Sequence, residues 1–241
     1  MSVRRFTAPD LAAAAEACAH HVVSVLDETL AGQEYANFAV SGGSSPRVLF
    51  DKLAATRFPW DRVNLFFVDE RCVPPTDPAS NYKMVEEHLI RPAHVPMRHV
   101  HRIAGEIAPK TSALRYASDI RAHFGLEDEE MPHFDLVHRG MGPDAHTASL
   151  FPGEPMIDDR EGIAGAVFVE KFNQWRVTLL PGVLLAAKHT VFLVAGEDKA
   201  EAVRAVFHEE YDPKKYPAQM ASHHGRGVSW FLDEGAAKLM E

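Results

Sequence analysis

The sequence predicts an α/β protein built in three layers, with a mostly parallel sheet covered by helices on both faces. Three observations predict it. Apolar runs of strand length alternate with segments of helical period along the 241 residues. Strands joined through helices pair in parallel and are buried on both faces. Several strand-like runs also end in short segments rich in glycine, serine and charge, which is where such a sheet binds its ligands.

The elements follow in order. A helix is expected from about Asp10, a suitable N-cap, to Gly32, a suitable C-terminal stop. Tyr35 to Val40 reads as a strand. Ser45-Pro46 reads as an N-cap followed by proline at the first helical position, opening a helix through Leu49, Phe50 and Leu53. Val63 to Val68 is the next strand, and Ser80 caps a helix through Met84, Val85 and Leu89. Val100 to Ile103 is a short strand. Thr111 to Phe124 has helical spacing at Leu114, Ala117, Ile120 and Phe124. Further strands are expected at Phe134–Val137, Val167–Val169 and Thr190–Ala195, then a helix from Glu197 to Phe207. Val228–Leu232 and Ala236–Met240 close the chain as a strand and a helix. No linker-like or repeated segment divides the chain, so a single domain over residues 1–241 is expected.

Composition bounds the function. Hydrophobic residues at 46% and charged residues at 24% suit a folded globular protein rather than a disordered one. A net charge of −9 argues against a general nucleic-acid binder, which carries a basic footprint. It leaves room for an anionic substrate, because a few bases can gather in one cleft. No apolar run approaches the roughly 20 residues of a membrane span. Glu16, His20 and His21 interrupt the apolar start before a signal-peptide core forms, so a cytoplasmic protein is expected. Cys18 and Cys72 form no CxxC and read as reduced thiols; the alternative is a reactive Cys72 beside Arg71. None of the 14 histidines shows metal-ligand spacing.

Four strand-to-helix junctions carry unusual chemistry and should share one edge of the sheet. Ser41-Gly42-Gly43-Ser44-Ser45-Pro46 offers small side chains and backbone N–H groups ahead of a helix, which suits a phosphate or, equally, a capped turn. It has neither the lysine of a P-loop nor GxGxxG spacing, so ATP and NAD are poorly supported. Asp69-Glu70-Arg71 follows an apolar strand, as a surface turn or as an acid orienting an arginine. Gly140 to His146 holds Asp144 two residues from His146, the ordinary makings of a general base near neutral pH. Lys199 lies in the first turn of its helix, where a base opposes the helix dipole unless an anion binds there. Arg176, opening the run Arg176-Val177-Thr178-Leu179, is either a bidentate phosphate clamp or a surface charge.

Taken together, Ser41 to Pro46, Asp69-Glu70-Arg71, Ser80-Asn81-Tyr82, Gly140 to Gly153 and Gly196 with Lys199-Ala200 resemble the 6-phosphogluconolactonases. The match runs in order from about residue 10 to the C-terminus, and Gly140–Gly153 is its most specific part. The SGG loop and the GxxKA element are shared with glucosamine-6-phosphate deaminases. The resemblance implies a Rossmann-like fold and hydrolysis of 6-phospho-D-glucono-1,5-lactone to 6-phosphogluconate. It implies no metal or organic cofactor. The charge and the lack of a long apolar run give the expectation of no nucleic-acid or membrane partner, and a monomer or small homo-oligomer is expected. The resemblance assigns His146 as the water-activating base with Asp144 beside it, and Arg71 as an active-site arginine. Ser41, Gly42, Gly43, Ser44, Arg176 and Lys199 fall on its sugar-phosphate-binding positions.

Three positions depart from the family's pattern. The usual Asp-Gly-His is Asp144-Ala145-His146, and SGGSTP is SGGSSP. His138 and Arg139 stand where apolar residues usually end the strand. The deaminase reading needs a Glu five residues after the histidine, where this chain has Phe151. A non-catalytic sugar-phosphate sensor could dispense with His146, which is present.

Overall fold

The apolar runs become strands in the computed structural model, which describes residues 3–240. In chain order the elements are β1 (Arg4–Ala8), α1 (Leu11–Gly32), β2 (Ala36–Val40), α2 (Ser44–Ala54), β3 (Val63–Phe67), β4 (Asp69–Arg71), α3 (Asn81–Val85), β5 (Val100–His101) and α4 (Pro109–Phe124). There follow β6 (Leu136–Arg139), β7 (Ala164–Val169), β8 (Gln174–Leu179), α5 (Pro181–Ala186), β9 (His189–Val194), α6 (Ala200–His208), α7 (Gln219–His224), β10 (Val228–Asp233) and α8 (Glu234–Ala237).

Seven strands form one sheet in the order β1-β10-β9-β6-β2-β3-β5, and every pairing in it is parallel. Its apolar residues bury in a large cluster that includes Leu26, Phe38, Leu49, Phe50 and Leu65. A second cluster joins Phe192 and Trp230 of the sheet to Val203 of α6 and Ala221 of α7. Phe192 and Trp230 stack nearly parallel at 3.8 Å.

The strand order sets the position of the site. From β2 the chain proceeds outward to β3 and β5. From β6 it proceeds the other way, to β9 and β10. The carboxyl ends of the neighbouring strands β2 and β6 therefore open a crevice at a topological switch point, the usual ligand position in such sheets.

The structure differs from the sequence reading at several elements. Strand β1 was not expected: four of its five residues are exposed, so no alternation marks it. It pairs with β10 at the sheet edge, and Phe6 stacks on Phe231 at 4.9 Å. Asp69-Glu70-Arg71 is not a junction but β4, which joins β8 and β7 in a second, antiparallel sheet. Helix α2 starts two residues earlier than expected, with Gly43 rather than Ser45 at the N-cap and no side chain capping it. Pro46 is then its third residue. The expected helix from Glu197 opens as a 3-10 turn over Glu197–Lys199 before α6. The last helix is Glu234–Ala237 rather than 236–240, because Asp233 accepts from Ala236 N at 2.7 Å and starts it there. Ser80 caps α3 as expected, accepting from Lys83 N at 3.2 Å.

His138 on β6 is fully buried, edge-on to Phe50 at 5.8 Å, and neither ring nitrogen meets a protein partner among the described residues. Burial pushes its pKa down to about 3. The folded state thus refuses a proton that the unfolded chain takes up near pH 6.5, and stability falls as pH drops from 6.5 toward 3. Above pH 6.5 the effect vanishes. We therefore expect His138→Leu to raise the melting temperature relative to the parent progressively more as pH falls through that window. A stability difference that stays constant from pH 8 to pH 4 would contradict it.

Candidate active site

The crevice between β2 and β6 collects side chains from every junction that the sequence singled out. Ser41 to Pro46, Asp69, Arg71, Gly140 to Gly142, His146, Arg176, Ala195 and Lys199 line one cleft. Asn81 lines it too. Asp144 stands behind His146 rather than on the cleft wall.

The His146 loop leaves β6 at Gly140 and folds back on itself. Gly142 N donates to His146 O and Ala145 N to Gly142 O, each at 3.0 Å. Asp144 Oδ1 lies 2.5 Å from His146 Nδ1 and also accepts from His146 N at 3.3 Å. With Nδ1 committed to Asp144, Nε2 is the ring nitrogen available for proton transfer. Phe151 stacks on the imidazole at 4.1 Å with the planes 24° apart. A Cβ on Gly142 would fall 2.1 Å from the His146 ring, so only glycine lets the imidazole pack there.

Asp144 is shared. Its Oδ2 accepts from Lys171 Nζ at 3.1 Å. Burial alone would raise the Asp144 pKa. The hydrogen bond and charge of His146, with the bond from Lys171, outweigh burial and hold the carboxyl well below the usual range. Asp144 therefore stays ionised at neutral pH and fixes the imidazole with its proton on Nδ1. Lys171 was missed in the sequence. It lies 27 residues from Asp144, in the turn between β7 and β8, and no local pattern links the two.

The small sheet brings the arginines together. Arg71 and Arg176 are register partners across β4 and β8. Like charges placed directly opposite destabilise a ladder, and an anion between them reverses that. Arg176 is nearly buried, with Nη1 3.9 Å from Asp69 Oδ2 and its guanidinium over the rings of Phe151 and Phe172. Its Nε meets no protein acceptor among the described residues, and neither does Arg71 Nε. Arg71 is steered by its other end, where Nη1 donates to Ala79 O at 2.6 Å.

The acids of β4 turn out to be anchors. Buried Glu70 accepts from Arg71 N, Asn81 N, Tyr82 N and Ser80 Oγ at 2.7–3.0 Å. It closes the N-terminus of α3 and does not orient a guanidinium, as the sequence had allowed. Asp69 accepts from Ser149 Oγ at 2.6 Å, which ties the His146 loop to the small sheet. A Cβ on Gly42 would fall 1.9 Å from Asn81 Oδ1, so the SGG loop packs closely against α3. The uncapped N-terminus of α2 opens on the cleft with Ser44 and Ser45. Lys199 reaches the same cleft and pairs with exposed Asp198. Among the described residues no three His, Cys, Asp or Glu side chains are grouped to hold a metal ion.

The pattern of the family described as glucosamine-6-phosphate isomerases/6-phosphogluconolactonase matches residues 9–230. The chain belongs to this family. Its relatives include a 6-phosphogluconolactonase of Synechocystis sp., 33% identical over 220 residues, with 90% of each chain covered. The Homo sapiens 6-phosphogluconolactonase is 36% identical over 213 residues, covering 85% of this chain and 81% of that one. The solved structure of devB protein superimposes over 100% of both chains with a TM-score of 0.88 at 30% identity.

The resemblance to this family places a glycine at position 145, and the structure shows what alanine meets there. Ala145 has φ 60° and is fully buried, packed in the Phe192–Trp230 cluster. Its carbonyl accepts from Ala218 N at 3.0 Å, which fixes it from outside the loop. The left-handed conformation costs alanine about 1–2 kcal/mol. Against this stand about 0.8 kcal/mol for the buried methyl and about 0.4–1 kcal/mol from the greater freedom of glycine in the unfolded chain. The effects nearly cancel. Ala145→Gly is expected to move the melting temperature by no more than roughly 2–4 °C and to change activity little. A larger fall would show that the methyl is needed to hold the loop.

Proposed function

We propose that this protein hydrolyses 6-phospho-D-glucono-1,5-lactone to 6-phospho-D-gluconate, a step of the oxidative pentose phosphate pathway, with His146 activating the water. The observation that carries this reading is the Asp144–His146 pair at 2.5 Å, set in a cleft whose wall pairs Arg71 with Arg176.

The chemistry follows from the geometry. A lactone is an activated ester, so water can attack it without a covalent enzyme intermediate. His146 Nε2 takes a proton as the water oxygen bonds to the lactone carbonyl carbon, and Asp144 stabilises the imidazolium that forms. Arg71 or backbone N–H groups of the glycine-rich loops donate to the tetrahedral oxyanion. The ring C–O bond then breaks, and the leaving oxygen takes the proton back from His146. Arg176, Lys199 and the loop leading into the open N-terminus of α2 (Ser41, Gly42, Gly43 and Ser44) hold the phosphate, and this remote binding positions the ring. No cofactor enters the balance.

Phe151 favours hydrolysis over amino-sugar-phosphate deamination, because the position of the deaminase glutamate is filled by the ring that stacks on His146. The two free cysteines suit a reducing compartment, and we place the reaction in the cytoplasm on that ground. The test is turnover of freshly prepared 6-phosphogluconolactone, with spontaneous opening subtracted. Catalysed release of 6-phosphogluconate supports the reading. A phosphosugar bound without turnover would favour a sensor, and ammonia released from glucosamine 6-phosphate would favour the deaminase.

A further inference from the structure

Arg139 is the least expected residue in the sheet. It ends β6, one residue before the His146 loop, and is among the largest fully buried side chains. No carboxylate pairs with it, and Nη1 and Nη2 meet no protein acceptor among the described residues. Its guanidinium lies over the ring of Phe192 at 5.1 Å. Burial pulls its pKa down to about 9, so it stays charged near neutrality. A buried unpaired charge is a liability to stability, and an apolar residue of similar size would be expected to serve the core better.

The one hydrogen bond of its guanidinium among the described residues points to a use. Arg139 Nε donates to Thr147 Oγ1 at 3.0 Å. Because a guanidinium only donates, the hydroxyl accepts there and turns its own proton outward. That proton goes to Gly140 O, also at 3.0 Å. Gly140 opens the loop and Thr147 directly follows His146, so the chain Arg139–Thr147–Gly140 clamps both ends of the segment that carries Asp144 and His146. A charged donor polarises the hydroxyl and strengthens its second bond. Within the clamped segment Ala145 is held at φ 60°. A residue held in a sparsely populated conformation persists only where its surroundings over-determine it.

We propose that Arg139 is a positioning residue for the reaction, whose bond to Thr147 holds the His146 loop in its productive conformation against the preference of Ala145. The proposal rests on the reading of His146 as the base. Arg139 touches no substrate and acts through the loop alone.

The test uses the full chain and separates positioning from stability. Arg139→Met removes the clamp and the buried charge together. The melting temperature is expected to hold or rise, while kcat falls about tenfold or more, the equivalent of a hydrogen bond to a charged group. KM stays nearly constant, because the phosphate-binding groups are untouched. Thr147→Val, which lacks the hydroxyl but keeps the shape, should lower kcat similarly. Combining it with Arg139→Met should cost little more. Adding Ala145→Gly to Arg139→Met should restore most of kcat, because glycine accepts the left-handed conformation without a clamp. A purely structural arginine predicts loss of melting temperature and of active fraction, with no rescue by glycine. An unchanged kcat in both single variants, or a loss that Ala145→Gly leaves untouched, overturns the proposal. His146→Ala measured alongside keeps the two readings apart: if it stays active, the base assignment itself fails.

Discussion

Replacing His146 with alanine should remove about 10²–10⁴-fold of kcat, the usual worth of a positioned general base, while 6-phosphogluconate still binds. Asp144 fixes the imidazole through Nδ1, and the residues proposed to hold the phosphate lie on other elements. The fold should survive, because the loop's backbone bonds and the Thr147 clamp do not involve the ring. Phe151 loses its stacking partner, which predicts a modest fall in melting temperature. The measurement is kcat for 6-phosphogluconolactone in a variant whose product affinity is first established by calorimetry. Activity within a few-fold of the parent, in a protein that binds product normally, would remove His146 from the mechanism.

The sequence showed the site better than it showed its surroundings. The Asp144–His146 turn, the SGG loop and Lys199 were legible because each lies in a short contiguous segment at a strand end. In a parallel sheet the carboxyl ends of the strands share one edge, so four separate segments could be assigned to one cleft before any distance was known. The features that no local pattern marks depend on contacts between distant segments. Strand β1 is short, exposed and at an edge, so it carries no buried face to detect. Strand β4 is buried through hydrogen bonds to Glu70 and Asp69 rather than through apolar side chains, and its charges therefore read as a turn. Lys171 reaches Asp144 only because the β7–β8 hairpin folds over the loop. His138 and Arg139 did stand out as misfits in an apolar strand. Their consequences, a proton refused on one side and a loop clamp on the other, became visible only with the packing around them.

Arg176→Ala is expected to weaken 6-phosphogluconate binding tenfold or more, since a hydrogen bond to a charged group contributes roughly 1.5–3 kcal/mol. Three features set Arg176 apart from an ordinary surface arginine. It is nearly buried, its Nε has no protein acceptor among the described residues, and it faces Arg71 across the ladder. Its contact with Asp69 is loose at 3.9 Å, and Asp69 keeps Ser149 and Asn81 as donors when the guanidinium is removed. The fold should therefore tolerate the change better than it would the loss of a tight buried pair. Removing Arg176 also relieves its repulsion with Arg71 in the unliganded protein, which offsets the stacking lost over Phe151 and Phe172. The loss of affinity should thus exceed any loss of stability, the mark of a residue placed for an anion. Lys199→Ala should weaken binding in the same direction but by less, because Lys199 is more exposed and already shares its charge with Asp198. Calorimetry with 6-phosphogluconate at low and high salt distinguishes the two, with the more exposed Lys199 contributing more of the salt dependence. If both variants bind product like the parent, the phosphate lies elsewhere, and the facing arginines need another explanation.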